Sequence, residues 1–195
     1  MSRSFAVATA MVLMACTSAD APPADEGASS AAETAPAPTD RIGVAMSAAP
    51  AAISAAAAIM DFDSTGALVE LRPGTNGWMC LPDDNPAAPG DQPICVDGPW
   101  QQWFGAYMAR EVPQITTVGV SYMLQGGVAA SNTDPFAQAP PEGSNWISDG
   151  PHLMIIVPDP SQLAGLPTDH SHGGPYVMWA GTPYAHIMIP STQRP

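Results

Sequence analysis

Lysine is missing from this sequence altogether. Its five basic residues are all arginine, against 18 acidic ones, and the formal net charge is −13. Without lysine there is no Schiff-base amine, no Ser–Lys dyad and no phosphate-cradling P-loop. That removes pyridoxal enzymes, penicillin-binding-type acylases and Walker-type NTPases. The shortage of positive charge argues against nucleic acid as a partner, because phosphate backbones are held by basic faces. Also absent are a G-x-S-x-G elbow, an H-E-x-x-H helix and a G-x-G-x-x-G turn. No apolar run is long enough to cross a bilayer, which takes about 20 residues.

A short apolar run is present at the start. Arg3 precedes Phe5 to Ala15, eleven residues interrupted only by Thr9. A charged start, a short apolar stretch and small residues at its end are the plan of an export signal. The stretch Leu13-Met14-Ala15-Cys16 resembles the lipobox of bacterial lipoproteins. The resemblance covers these first sixteen residues and leaves the rest of the chain unassigned. It implies cleavage before Cys16, diacylglycerol on its thiol, and a membrane partner held through that lipid. Thr17 stands where Asp marks inner-membrane retention in Gram-negative species, which implies an outer-membrane, surface or periplasmic location.

Residues 1–15 are therefore read as signal, 16–41 as a lipidated tether, and 42–195 as one globular domain. Between Cys16 and Arg41 the tether is Ala, Pro, Ser, Thr, Asp and Glu with a single Gly and no large apolar side chain, so nothing offsets the entropy of ordering it. The remaining residues, about 150, suffice for one core.

With Cys16 acylated, Cys80 and Cys95 remain, and in an oxidising compartment such pairs close. A redox pair wants C-x-x-C spacing, and a zinc site wants four ligands with no further cysteine to supply them. A Cys80–Cys95 disulfide is expected, stapling a loop rich in Pro and Asp.

The clearest helix is predicted over Pro99 to Glu111. Trp100, Trp103, Phe104, Tyr107 and Met108 recur at helical spacing and form one apolar stripe, read as a core face. Asp97 or Gly98 is placed to cap it and Pro113 to end it. The Ala-rich run after Ile42 has high helix propensity, is split by Pro50, and leads equally well into a strand. Asp61 to Gly66 reads as a turn, and Ala67–Leu71 with Gly77–Leu81 as a hairpin. Strands are expected at Val118–Leu124, Leu153–Val157, Tyr176–Ala180 and Tyr184–Ile189, and a capped helical turn at Asp159–Leu163. Residues 126–151 read as a long irregular stretch. The fold class is α+β: a mainly antiparallel sheet with one amphipathic helix packed on it.

No catalytic residue is assigned. Ser131, Ser121 or Ser148 with His152 or His186 and Asp134 or Asp149 would make a hydrolase set, but any chain this long contains one. Strand alternation suggests more. His152 with Met154, His186 with Met188 and Tyr184, and Tyr176 with Met178 each share a face of their strand. If these strands are neighbours in register, imidazole and thioether gather on one sheet face and suit copper. Plain core packing of methionine competes with that reading. Asp169, His170 and His172 form a second candidate set, for zinc or Cu(II). Asp61, Asp63 and Thr65 resemble half of an EF-hand, but Arg72 stands where its bidentate Glu belongs. Asp83, Asp84 and Asp91 read as a solvated acidic loop. Trp146 and Trp179 are the candidates for an exposed aromatic patch. The chain thus reads as an envelope binding or interaction module for a protein or small-molecule ligand, with a copper or zinc protein, and then a hydrolase, as alternatives.

Overall fold

The structure is a computed structural model that describes residues 40–191; the signal, Cys16 and almost all of the tether lie outside the described residues. An eight-stranded sheet forms the frame. Its strands are β1 Ala58–Phe62, β2 Leu68–Arg72, β3 Met79–Leu81, β4 Ile94–Val96, β5 Gly119–Met123, β8 His152–Ile156, β9 Tyr176–Met178 and β10 His186–Pro190, in the order β2-β1-β3-β4-β5-β8-β10-β9. The β1–β3 pair is parallel, and the other neighbours are antiparallel. This is the α+β class expected from the sequence.

Helix α3, Gly98–Ala109, covers one face. Asp97 fixes its start twice over. One carboxylate oxygen accepts from Trp100 N at 3.0 Å, and the other accepts from Val120 N at 2.8 Å, tying the helix to β5. Pro99 sits in the first turn, and Arg110 closes the helix in the left-handed conformation. Trp100, Trp103 and Phe104 are buried against Leu81, Ile94 and Val96. Each such side chain stabilises the fold by about 2–3 kcal/mol. Met108, the last member of the predicted stripe, is 51% exposed.

Two short helices, α1 Arg41–Met46 and α2 Ala51–Ser54, lie against the other face. Ala45, Ala48 and Ala49 pack there on Ile59, Cys80 and Cys95, their small side chains allowing close approach. Asp40 caps α1, and Arg41 reaches Asp61 and Asp91, both at 2.8 Å. Two residues read as tether thus belong to the fold.

Several expectations are corrected. The hairpin is β1–β2, not Ala67–Leu71 with Gly77–Leu81. The Asp63 carboxylate accepts from Thr65 N and Ala67 N, and Gly66 supplies the left-handed residue, so the chain reverses one strand earlier. Asp61 and Phe62 are consequently strand residues. β3 lies beside β1 instead of β2, and a Cβ on Gly74 would overlap the backbone of Ala58 where the crossing passes. Residues 126–151 are not wholly irregular: β6 Gly127–Ala129 and β7 Ile147–Asp149 form a small antiparallel sheet. The 3-10 turn Pro160–Leu163, capped by Asp159, is as expected.

Candidate functional site

The sheet face beneath α3 is built by register. Met188 on β10 stands directly opposite Met154 on β8 and Tyr176 on β9. His186 stands opposite Met178. On the other side of β8, Met154 faces Ser121 and His152 faces Met123. The strands are neighbours with matching alternation, so His152, Met154, His186 and Met188 share one face, as the sequence allowed. All four are buried.

Between this floor and α3 lies a cavity of about 520 Å³. Its floor is the His/Met face, and α3 supplies Trp100, Trp103, Phe104 and Tyr107. Residues 84–87, 127–131 and 134–138, with Trp179, also line it. The volume lies in the range of small-molecule sites.

The aromatic rings are organised. Trp103, Tyr107 and Trp179 lie within 7° of mutually parallel, with centroids 5.4–6.3 Å apart. Phe136 continues the stack on Tyr107, and the Arg110 guanidinium sits 4.5 Å above Phe136. Most polar ends are anchored: Tyr107 donates to Pro135 O, Tyr184 to Glu111 O, and Trp179 Nε1 to Ser131 O. Trp179 adopts φ 55°, a left-handed conformation unusual for a bulky residue. Its N–H donates to Asn132 O, so both its donors are held by the 131–132 segment. A strain of about 1–3 kcal/mol is tolerated to place this ring in the stack.

His186 is the central polar group. It is 2% exposed, and its ring meets Trp100, Trp103 and Trp179 nearly at right angles, 5.1–5.8 Å between centroids. Nδ1 donates to Tyr184 O at 3.0 Å, which leaves the lone pair of the neutral ring on Nε2. That Nε2 has no hydrogen-bond partner, and neither has Trp100 Nε1. Burial is the main cause that lowers the His186 pKa to about 4, with the nearby His152 adding to it. The ring is therefore neutral at physiological pH.

Asp84 carries the opposite shift. It stands among the pocket-lining residues with a little exposed surface, and burial, then the Asp83 charge, pushes its pKa up to about 7. Asp83 is itself buried and raised for the same first reason. The loop is therefore not the solvated acidic run read from the sequence; only Asp91 is exposed, paired with Arg41. Gln92 Oε1 accepts from Val128 N at 2.5 Å, while its Nε2 has no partner.

Other predicted residues fall elsewhere. Cys80 and Cys95 form a disulfide, directly opposite each other on β3 and β4. It lies on the α1 side of the sheet, away from the cavity lining. His170 and His172 belong to a 3-10 turn at the surface, where Asp169 caps the turn by accepting from Ser171 N. Among the described residues no three His, Cys, Asp or Glu side chains converge as a metal site. Ser121 is fully buried, Ser148 is exposed on β7, and Ser131 Oγ accepts from Thr133 N and Asp134 N. Asp149 accepts from Tyr176 OH at 3.0 Å. Trp146 and Trp179 are half-buried, so neither forms a fully exposed patch.

No family model, curated protein or solved structure matches the chain.

Proposed function

We propose that this is an exported, lipid-anchored envelope protein whose folded domain binds a small ligand in the cavity between α3 and the sheet. The observation that carries this reading is a cavity of about 520 Å³ walled by stacked aromatic rings, with a buried neutral imidazole at its floor whose Nε2 has no hydrogen-bond partner. A core formed for stability alone would fill such a volume and satisfy its polar atoms. Rings held by anchored hydroxyl and indole groups offer flat apolar surface at low entropic cost. The role proposed is binding; the hydroxyl of Ser131, the one candidate serine that lines the cavity, accepts from Thr133 N and Asp134 N in its own turn. Anchoring through Cys16, and the outer-membrane or surface location, rest on the lipobox resemblance.

The test uses p-cresol and indole as probes of the full chain in detergent, read by saturation-transfer NMR. Ala129 lines the cavity, and Ala129→Trp fills it. A saturable signal, lost in Ala129→Trp and weakened in Phe136→Ala, supports the reading. A signal that the filled variant retains contradicts it.

A further inference from the structure

We infer that the floor of this cavity is a site for a soft monovalent cation, Cu(I), held by Nε2 of His186 and by thioether sulfurs of Met178, Met188 and Met154. The inference rests on the cavity being a ligand site and names what its floor takes.

The nitrogen is prepared as a ligand. The bond from Nδ1 to Tyr184 O fixes the tautomer and the ring plane, the arrangement that orients metal-bound histidines. Nε2 then carries a lone pair inside the protein with no hydrogen-bond partner. Packing explains buried methionines, but it does not explain a buried acceptor left open.

The sulfurs are placed by the sheet. Met178 is directly opposite His186, Met188 is two residues along the same strand, and Met154 is directly opposite Met188. Directly opposed Cβ atoms lie about 5 Å apart and same-face neighbours along a strand about 7 Å. A methionine has three rotatable bonds beyond Cα, so each thioether can reach a point above His186. All four side chains line the cavity and are at most 6% exposed.

The donor set selects the ion. One neutral imidazole with thioethers is a soft, uncharged set, and it suits Cu(I). Zinc and Cu(II) want further nitrogen, thiolate or carboxylate ligands, and no such cluster converges among the described residues. The two cysteines of the domain are spent in the disulfide on the other side of the sheet. Trp100, Trp103 and Trp179 surround His186, and indole faces attract a cation. His152 shares the face but lies opposite Pro190, one row beyond Met154 and Met188, with Nδ1 on Gly150 O. It is left out of the set, as are the surface residues His170 and His172.

The experiment transfers Cu(I) anaerobically from its bicinchoninate complex to the full chain in detergent, with Ag(I) as a redox-inert stand-in followed by native mass spectrometry. One equivalent of either ion is expected, with quenched tryptophan emission. His186→Ala should lose the transfer. Met188→Leu and Met178→Leu conserve volume and should fold, and together they should lose it too. His172→Asn should leave it unchanged. Transfer indifferent to the Met→Leu pair overturns the inference. So does no transfer to a protein that still binds p-cresol, which leaves the cavity reading standing. Neither ion nor p-cresol bound overturns both.

Discussion

The carbonyl of Tyr184 accepts a hydrogen bond from Nδ1 of His186, two residues further along the chain, at 3.0 Å. This contact decides which imidazole nitrogen carries the lone pair. It is local in sequence, yet its effect depends on β10 lying between β8 and β9, which brings methionines to both sides.

The pH dependence of stability should expose two opposed groups. Asp84 is raised to about 7 from 3.8, so between these values the folded chain holds a proton that the unfolded chain has released. Its contribution falls as pH rises through that window. His186 is lowered to about 4 from 6.5, so here the unfolded chain holds the extra proton, and stability rises with pH. The slopes oppose, and the wild type should slope less steeply than either variant between about pH 4.5 and 6.5, with the raised Asp83 adding in the same sense as Asp84. Asp84→Asn should leave a protein that is more stable at the upper end, and His186→Asn one that is more stable at the lower end. Each slope should amount to about 1–3 kcal/mol, the Asp84 share being reduced because the residue keeps some exposed surface. Urea midpoints at three pH values check this, and a wild type sloping as steeply as either variant contradicts it.

The disulfide should matter for stability and not for the cavity. Cys80 and Cys95 close a loop of separation 15, and Cys95 lies against the α1 backbone. Replacing both with alanine should cost about 3 kcal/mol, read as a lower urea midpoint. Probe binding to the surviving folded protein should be unchanged.

Trp179 separates ring from hydrogen bond. Trp179→Phe keeps an aromatic surface but loses the donor to Ser131 O, and should destabilise by about 1 kcal/mol while p-cresol still binds. Trp179→Ala should lose binding as well. Thermal melts beside saturation-transfer spectra distinguish the two, and equal binding by both variants would remove Trp179 from the site.

Lipidation is tested in cells. Labelled palmitate should enter the wild type and not Cys16→Ser, and the label should travel with the membrane fraction. Incorporation into the serine variant would refute anchoring through Cys16.

The helix and the later strands were legible because their signals are local. The Trp100 to Tyr107 stripe, the Asp97 cap and the alternation of His152 with Met154 all act within a few residues. The β1–β2 hairpin was misplaced because two turn signals, Asp63–Gly66 and Pro73–Gly74, compete, and pairing with distant β3 decides between them. β4 is not legible in the sequence because its three residues lie inside a Pro- and Asp-rich stretch and gain their burial from β3 and β5. The chemical types of the floor residues were readable, but their assembly was not, because register between strands is set by the whole sheet. Asp84 looked solvated because nothing local encodes the walls that close over it.

Copper-edge X-ray absorption of the Cu(I)-loaded protein reads the ligand shell itself. A shell of one imidazole nitrogen with thioether sulfurs is expected, with one sulfur fewer in Met188→Leu. A shell of nitrogen and oxygen alone, or one unchanged by that substitution, would contradict it.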